Sequence, residues 1–577
     1  MGSLRRRLKE AMILENPEEP NSSFLPYSDL QKLLSEKEVS EILLRRKHKL
    51  RHKVSDLTSF ICARGGARRT FAALVYEELV GSVDDFYDNN FTDDMLPVVI
   101  GSDYLVHSTN SDPSRSSGLA NIFGNDDYWT ESKVESFCHS TQWCFLAPVF
   151  DETKFKYSFL RSTRMPFIPI GEVKRDSNFS TVERCLIHRA HLRHISRNAE
   201  GHPLVAIKEL KNLLGKSNTE FGQAAQSEAN VLVRMRGLNH PHLIKAIAYY
   251  TRGLSHVIMF PWAGGGNLRD YWKKDLPRKL DAEFISWAFG QFCGLASAIE
   301  ELHSSTKDTD TCRHGDLKPE NILCFENKDA HGSLTQPSLV IADVGLAKVH
   351  DLATDMRNEA TRTVAGTVTY EPPEAILWKH KPRSRRYDIW SMGCIYFEFL
   401  IWMLYGKNEL DHFGEEITSK NDGTGRKFFE IVAGEARIKP SVQKWIEHIR
   451  ADRRCPENTA VRQLLELIAT RLLVVNLGRR STLISQSNSM ATTYQDGTPN
   501  IQVLVRQPTI DINLQDPTDL HIRAAADEMF RRLENVTRDT LDTRSQLQWM
   551  NFQAPSSGGP TQQYPNRLAP SQGRRGH

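Results

Sequence analysis

Three side chains with different chemistries stand close together near the middle of the chain. Asp316 supplies a carboxylate, Lys318 an ammonium group and Asn321 a carboxamide, and Pro319 stiffens the loop between them. Transfer of a phosphoryl group needs these three chemistries together, because its catalysis is mostly positioning and electrostatic stabilisation. The carboxylate would orient the attacking hydroxyl, the ammonium group would neutralise the phosphoryl group, and the carboxamide would hold a magnesium ion. The alternative is a polar surface turn before a strand.

Elements that must position these groups can be recognised on both sides of the loop. Residues 205–208 form an apolar strand that ends in one lysine, and residues 256–260 form a second apolar strand. Residues 284–303 carry apolar side chains at helical spacing, which predicts a structural helix. Downstream, residues 339–342 form a short apolar strand that delivers Asp343.

These motifs, taken in order, resemble those of eukaryotic serine/threonine protein kinases. The segments that carry the resemblance are 205–208, 313–323, 343–345, 366–374 and 387–393. The resemblance implies an α+β, bilobal protein kinase fold at about 165–540, with a β-rich N-lobe at 165–262 and a helical C-lobe at 263–540. Around it we expect a mostly helical N-terminal module at 1–160, a polar loop inserted at 485–518 and a disordered tail at 541–577.

The resemblance assigns roles to the residues of the central loop and the strand after it. Asp316 is the expected catalytic base, with Lys318 beside it. Asn321 and Asp343 are the expected ligands of Mg²⁺. Asp388 is expected to anchor the backbone of the loop.

The resemblance also places an ATP site on the N-lobe strands. Lys208 is expected to grip the α- and β-phosphates and to pair with a glutamate on the following helix. Glu228 fits that glutamate best, and Glu220 is a second choice. The residues expected around the nucleotide are Val182, Ala206, Phe260, Pro261, Ala263 and Leu323. The run Gly264 to Gly266 is interpreted as a turn into the C-lobe rather than a phosphate loop.

Three positions depart from the kinase pattern. The segment 175–182 aligns with the phosphate-covering loop, but all three of its glycines are replaced, and side chains there should hinder close contact with phosphate. Val344 stands where phenylalanine is usual, and Gly315 replaces the arginine that follows the catalytic histidine. Without that arginine, phosphorylation of Thr361 or Thr363 should be a less necessary switch.

Two functions follow from this mixture of intact and altered motifs. The first is an active serine/threonine kinase that transfers the γ-phosphate of ATP to protein hydroxyls. The alternative is a pseudokinase-like scaffold without phosphotransfer. The altered glycine loop and Val344 favour the scaffold. The intact set of chemical groups favours the enzyme, and it comprises Lys208, Asp316, Lys318, Asn321 and Asp343.

Glu374 requires a buried arginine from late in the C-lobe, because a lone buried carboxylate is costly. Arg480 and Arg523 are both candidates, and Arg523 is favoured because it opens an amphipathic helix. If Arg523 is the partner, the fold closes near residue 540.

Apolar residues recur at helical spacing in residues 30–43, which predicts a helix, and a basic run follows at 45–53. We interpret that run as a solvated helix face, with a patch for anionic partners as the alternative. Sequence segments 260–263, 266–272 and 370–374 further resemble a large kinase group of filamentous fungi, whose members carry an N-terminal module of this length.

Composition limits the remaining classes of protein. The 577-residue chain has 40% hydrophobic and 25% charged residues, and its net charge of +3 argues against nucleic acid as the main partner. Nine scattered cysteines indicate a reducing compartment, and Cys138 and Cys144 are interpreted as packing residues rather than zinc ligands. The most apolar stretch, 394–405, is too short to span a bilayer. We expect a cytoplasmic or nuclear protein that acts on a protein substrate. The sequence does not predict its oligomeric state.

Overall fold

The structure is a computed structural model, and it forms two compact units. One contains residues 1–233 and 245–262, and the other contains residues 234–244 and 263–577. The first 160 residues therefore belong to the same unit as the N-lobe strands. The structure describes residues 2–15, 19, 22–109, 117–168, 170–171, 174–177, 180–193, 201–212, 217–274, 280–304, 313–343, 369–378, 383–418, 425–477, 522–542, 544–556 and 558–560.

The beginning of the first unit is mostly helical. Its α-helices are α1 Gly2–Glu10, α2 Tyr27–Leu33, α3 Glu36–Leu44, α4 Val54–Cys62, α5 Arg68–Tyr76, α6 Val83–Asp88, α7 Ser117–Phe123 and α8 Glu131–Ser136. Two short antiparallel pairs accompany them: β1 Ile13–Leu14 with β2 Ser23–Phe24, and β3 Val98–Ile100 with β4 Val106–Ser108.

Helical spacing of apolar residues directs these helices towards one core. In α3, the side chains of Val39, Ile42 and Leu43 are buried, and the Ser35 hydroxyl accepts a hydrogen bond from the backbone N–H of Glu38 at the helix start. The core continues into an aromatic cluster of Phe86, Phe91, Phe123, Trp129 and Phe137. The helical pattern predicted for this region is therefore present.

Cys138 and Cys144 are buried free thiols in this core, which agrees with a packing role. Within the described residues, no cluster of three or more His, Cys, Asp or Glu side chains could hold a metal ion. In the basic run, Arg51 forms ion pairs with Asp85 and Asp88, whereas the side chains of residues 47–49 are exposed.

A seven-stranded sheet completes the first unit. Its strands are β6 Lys156–Phe159, β7 Phe167–Ile168, β8 Lys174–Asp176, β9 Ser180–Ile187, β11 Leu204–Leu210, β12 Ala248–Arg252 and β13 Ser255–Pro261, and a separate pair is formed by β5 Phe150–Asp151 and β10 Leu192–Arg193. The strand order is β6-β12-β13-β11-β9-β7, with β8 also paired to β9. Helix α9, Asn218–Leu238, follows β11.

The second unit is predominantly helical. Its α-helices are α10 Leu268–Lys273, α11 Ala282–Ser304, α12 Glu374–Leu377, α13 Arg386–Tyr405, α14 Lys407–Glu416, α15 Pro440–Ala451, α16 Ala460–Leu467 and α17 Ala526–Leu541. Two antiparallel strand pairs are β14 Ile322–Phe325 with β15 Ser338–Ile341, and β16 Phe429–Val432 with β17 Glu435–Ile438. No helix of the described residues is long and apolar enough to cross a membrane.

Helix α13 is the centre of this unit. Every residue from Arg386 to Leu404 is buried, as expected for a helix that is apolar on nearly all sides. Asp388 near its start and Glu398 in its middle are buried carboxylates, and both receive hydrogen bonds from other elements.

The buried arginine that Glu374 requires is Arg523. Its guanidinium forms two parallel hydrogen bonds with the Glu374 carboxylate, of 2.5 and 3.0 Å, and also donates to the carbonyls of Val474 and Arg386. The side chain of Arg523 is fully buried and stacks over Trp390. The prediction of Arg523 is thus confirmed. Arg480 and the predicted polar insertion at 485–518 lie outside the described residues. The prediction of a disordered tail at 541–577 is wrong for part of that segment, because the N–H of Ala460 donates to the carbonyl of Gln548 at 2.7 Å and Met550 is buried. The residues beyond 560 lie outside the described residues.

Candidate active site

The loop that carries Asp316 is held by the buried carboxylate of Asp388. One oxygen accepts hydrogen bonds from His303 Nε2 and from the backbone N–H of His314, and the other accepts from the N–H of Gly315, each at 2.8 Å. Burial alone would raise the pKa of Asp388, but the hydrogen bond from His303 and the nearby imidazoles outweigh it and lower that pKa. The carboxylate therefore remains charged and fixes the loop.

Gly315 has a φ of +76°, in the left-handed region that glycine adopts without steric cost. Its backbone N–H must point at Asp388 in this conformation. The geometry thus gives a local reason for a glycine at this position.

The side chains of Lys318 and Asn321 both contact Asp316 directly. Lys318 Nζ lies 2.8 Å from Asp316 Oδ2, and Asn321 Nδ2 lies 3.1 Å from the same oxygen and 2.8 Å from the Asp316 backbone carbonyl. Both groups bind Oδ2, so Oδ1 is the oxygen that a hydroxyl could approach. A solvated surface turn would not bury Asn321 as this loop does.

Asp343 is placed beside Asn321 by the β14–β15 pair. Ile322 is opposite Ile341, and the N–H of Ala342 donates to the carbonyl of Asn321 at 2.8 Å. Asp343 has a φ of +60°, an uncommon conformation for a side chain other than glycine and one that often marks functional sites.

The donor chemistry of these two residues fits Mg²⁺, which prefers oxygen ligands. Because the Nδ2 group of Asn321 donates to Asp316, the carboxamide oxygen is the atom that can face a cation. Asp343 would add a carboxylate oxygen.

The predicted lysine–glutamate pair lies in the first unit. Lys208 Nζ on β11 is 3.8 Å from Glu228 Oε1 on α9, and both side chains are buried. A lone buried charge is costly, so each group requires the other. Glu220, the second choice, instead accepts hydrogen bonds from the N–H and hydroxyl of Ser217 at the exposed start of α9.

Strand register places the predicted nucleotide contacts of the first unit on one face of the sheet. Lys208 is opposite Val182, and Ala206 is opposite Phe260. Residues opposite each other, or two apart along a strand, share a face, so these four residues line one surface. Pro261 is the last residue of β13 and is opposite Val205.

The other two predicted contacts, Ala263 and Leu323, lie in the second unit. Residue Asn267 bridges to Leu323. The N–H of Gly265 donates to the carbonyl of Cys324 at 3.0 Å, and the N–H of Cys324 donates to the carbonyl of Gly266 at 2.8 Å. A Cβ on Gly265 would lie 2.7 Å from the carbonyl oxygen of Cys324, so the close approach requires glycine. This agrees with a turn rather than a phosphate loop.

The hairpin of β8 and β9 corresponds to the altered glycine loop. The Ser177 hydroxyl donates to the carbonyl of Ser180 at 2.8 Å and accepts from its N–H at 3.1 Å. Lys211 Nζ forms an ion pair with Asp176 and donates to the carbonyl of Ser177 at 3.0 Å. These side-chain bonds close the hairpin together with a backbone bond from the N–H of Ser177 to the carbonyl of Ser180, at 2.9 Å. Its tip at residues 178–179 lies outside the described residues.

Two features of the site were missed from the sequence. His303 was assigned only to a structural helix, yet it bonds Asp388. The second feature is a network around buried Glu398, which accepts from the Tyr370 hydroxyl at 2.6 Å and pairs with Arg269 and Arg426. Arg269 also binds Glu320, on the loop that carries Asp316, at 3.2 Å. For either feature, the only signal in the sequence was a polar residue, His303 or Glu398, among the apolar residues of a helix.

Several sequence predictions fall outside the described residues and are not tested by the geometry. They concern Val344, Thr361 and Thr363.

Comparison with known proteins gives a consistent result. A family model described as protein kinase domain matches residues 194–489, about half of the chain. The serine/threonine-protein kinase Nek8 of Danio rerio is 29% identical over 205 residues, which are 36% of this chain and 25% of that protein. The serine/threonine-protein kinase chk-2 of Caenorhabditis elegans is 27% identical over 198 residues, or 34% of this chain and 37% of that protein.

A calcium/calmodulin-dependent protein kinase of Metarhizium anisopliae is 30% identical over 210 residues, or 36% of this chain and 47% of that protein. The chain therefore spans between a quarter and a half of the length of these relatives. With the family match, the α+β fold class predicted from the sequence is confirmed.

Proposed function

Because the chain belongs to the protein kinase family, we propose that it is a serine/threonine protein kinase that transfers the γ-phosphate of ATP to hydroxyls of a protein substrate. The observation that carries the proposal is the contact of Asp316 with Lys318 and Asn321, on a loop fixed by Asp388. The cluster supplies a base, a cation and a carboxamide within one hydrogen-bonded group.

In the proposed reaction, Asp316 Oδ1 orients the substrate hydroxyl and accepts its proton. Lys318 keeps the Asp316 carboxylate in place and neutralises charge on the transferred group. Asn321 and Asp343 would hold Mg²⁺, which neutralises charge on the phosphate oxygens when bound.

Lys208 binds the α- and β-phosphates of ATP in this proposal, and Glu228 keeps its ammonium group in position. Val182, Ala206 and Phe260 provide the apolar face for the adenine, with Leu323 as a further apolar contact. The backbone groups of Pro261 and Ala263 would bond the edge of the ring.

The second candidate is a kinase-fold scaffold without phosphotransfer. The specific observation in its favour is the β8–β9 hairpin, where Ser177 stands at a position of the glycine loop. Glycine would let the backbone approach phosphate closely, and a side chain there should hinder it. The enzyme is preferred because the catalytic loop retains its complete set of contacts.

The kinase group and the cellular location of the protein are also proposals. Segments 260–263, 266–272 and 370–374 support membership of the filamentous-fungal kinase group. The scattered cysteines, several of which are buried free thiols, support a cytoplasmic or nuclear location.

The test is transfer of labelled phosphate from ATP with Mg²⁺ to the protein itself and to a generic protein substrate. We expect Asp316→Ala to lower the rate by about 100- to 10,000-fold, as for loss of a general base. Asp411→Ala, which changes an exposed carboxylate of α14, is the matched control and should behave as wild type. A folded wild type with no transfer, or an Asp316→Ala variant with full activity, would overturn the proposal.

A further inference from the structure

Strand β6 joins the seven-stranded sheet from a segment that precedes the family match by more than thirty residues. It pairs in parallel with β12, where Lys156 is opposite Tyr249, and the Tyr249 N–H donates to the carbonyl of Phe155 at 2.8 Å. The other ladders of this sheet are antiparallel. A parallel pair cannot be closed by a tight turn, so β6 is an addition to the sheet edge from elsewhere in the chain.

A side chain of β6 reaches the helix that carries the predicted glutamate. Lys156 Nζ donates to Asn230 Oδ1 on α9 at 2.6 Å, and Gln226 Nε2 lies 3.4 Å from the same oxygen. Asn230 stands two residues after Glu228, whose carboxylate faces Lys208. Lys156 therefore fixes the turn of α9 from which Glu228 projects.

The first turn of α9 has a separate support from the same sheet. The ring of Phe221 meets His256 edge-on with centroids 5.2 Å apart, and His256 Nδ1 lies 2.6 Å from the Tyr249 hydroxyl. Phe221 and Asn230 are about 13 Å apart along the helix axis at 1.5 Å per residue. The two contacts thus restrain α9 at two points, one through Lys156 of β6 and the other through His256 of β13, which is bonded to Tyr249 of β12.

Strand β6 is itself held by the preceding part of the unit. Phe150, Tyr157, Phe159 and Tyr250 form an aromatic cluster with centroid distances of 5.1 to 6.2 Å. Arg252, the last residue of β12, forms an ion pair with Glu15 of the helical region, with 3.0 Å between the guanidinium and a carboxylate oxygen.

We propose that Lys156 and Asn230 are positioning residues for phosphotransfer, which hold α9 so that Glu228 stays against Lys208. Residues 150–159 are on this view an internal support for α9, supplied by the chain itself. The predicted effect of this contact on catalysis rests on the proposed kinase function. Its predicted effect on the position of α9 does not.

The experiment compares Lys156→Ala, Asn230→Ala and their double variant in the full chain. Lys156→Arg is the conservative rescue, since it keeps a donor of similar reach. The matched control is Lys245→Ala, which removes an exposed ion pair with Glu152 of the same segment. Two readouts are measured: kcat and the KM for ATP, and hydrogen exchange of the amides of residues 219–231.

We expect each single substitution to lower kcat/KM for ATP by about 3- to 10-fold, the range set by one partly exposed hydrogen bond. The double variant should be no worse than the more affected single variant, because the two residues share one contact. Exchange across α9 should rise at least about threefold in all three variants. Lys156→Arg and Lys245→Ala should match wild type in both readouts.

The proposal is overturned if the two substitutions add, if Lys245→Ala has the same effect, or if exchange in α9 is unchanged. It is also overturned if exchange rises while kcat and KM stay at wild-type values. A wild type without phosphotransfer would reject the kinase proposal instead. In that case, the positional claim is decided by exchange alone.

Discussion

The loop that carries Asp316, in the second unit, and the β8–β9 hairpin, in the first unit, are built in opposite ways. In the loop, His314 and Asn321 are buried and one carboxylate, that of Asp388, receives three hydrogen bonds from other groups. In the hairpin, strand β8 is exposed along its length and the turn is closed by the Ser177 hydroxyl and the Lys211–Asp176 pair.

This difference indicates where substitutions are tolerated. A buried charge that loses its partner is costly, whereas surface ion pairs contribute little. The loop can therefore keep its geometry only with its whole set of polar partners. The hairpin can change its sequence at small cost in stability. It has none of the three glycines of the kinase pattern, whereas the loop keeps Asp316, Lys318 and Asn321.

The largest effect is expected from Asp388→Ala. It leaves the backbone N–H groups of His314 and Gly315 and the ring of His303 without their buried acceptor, so we expect a loss of about 3–5 kcal/mol in the free energy of unfolding. Urea unfolding measures this loss, with Asp411→Ala as control. Phosphotransfer should fall to background in the same variant. A loss below about 1 kcal/mol would contradict the view that this carboxylate holds the loop.

A second prediction concerns pH and the first unit. The neutral ring of His191 is required, because Nε2 accepts from the N–H of Tyr27 at 2.9 Å while Nδ1 donates to the carbonyl of Pro148 at 2.8 Å. Burial lowers the pKa of His191 from 6.5 to about 4. Its contribution to stability is thus complete above pH 6.5 and is lost as pH falls from 6.5 towards 4.

Between pH 7.5 and pH 5, this linkage amounts to about 2 kcal/mol for one such group. The free energy of unfolding of wild type relative to His191→Gln should therefore decrease by about that amount over this range. If the difference in free energy of unfolding between wild type and His191→Gln does not change with pH, the folded protein does not hold His191 in the neutral form.

The same contrast explains what the sequence could predict. The loop motif is local, because Asp316, Lys318 and Asn321 are close in sequence and their chemistry requires contact. The pair of Glu374 with Arg523 was predictable although 149 residues separate them, because a buried carboxylate must have a partner.

Contacts between distant segments could not be predicted from the sequence where no buried charge required a partner. Strand β6 is four residues long, and its parallel pairing with β12 leaves no local signal such as a hairpin turn. His303 lies on an otherwise apolar helix, where its role depends on the position of Asp388 in α13. In both cases tertiary packing decides the contact, and spacing along the chain does not.

The smallest effect is expected at the hairpin. Ser177→Ala removes the hydroxyl that bonds both the N–H and the carbonyl of Ser180, and partly exposed bonds of this kind are worth about 1 kcal/mol or less. We therefore expect a change of about fivefold or less in the dissociation constant for ATP with Mg²⁺, and an unchanged kcat. Ser227→Ala, an exposed serine on α9, serves as control. A loss of activity as large as that of Asp316→Ala would mean that the serine hairpin has taken over a role equal to that of the catalytic loop. The proposed division between a strictly maintained loop and a tolerant hairpin would then be wrong.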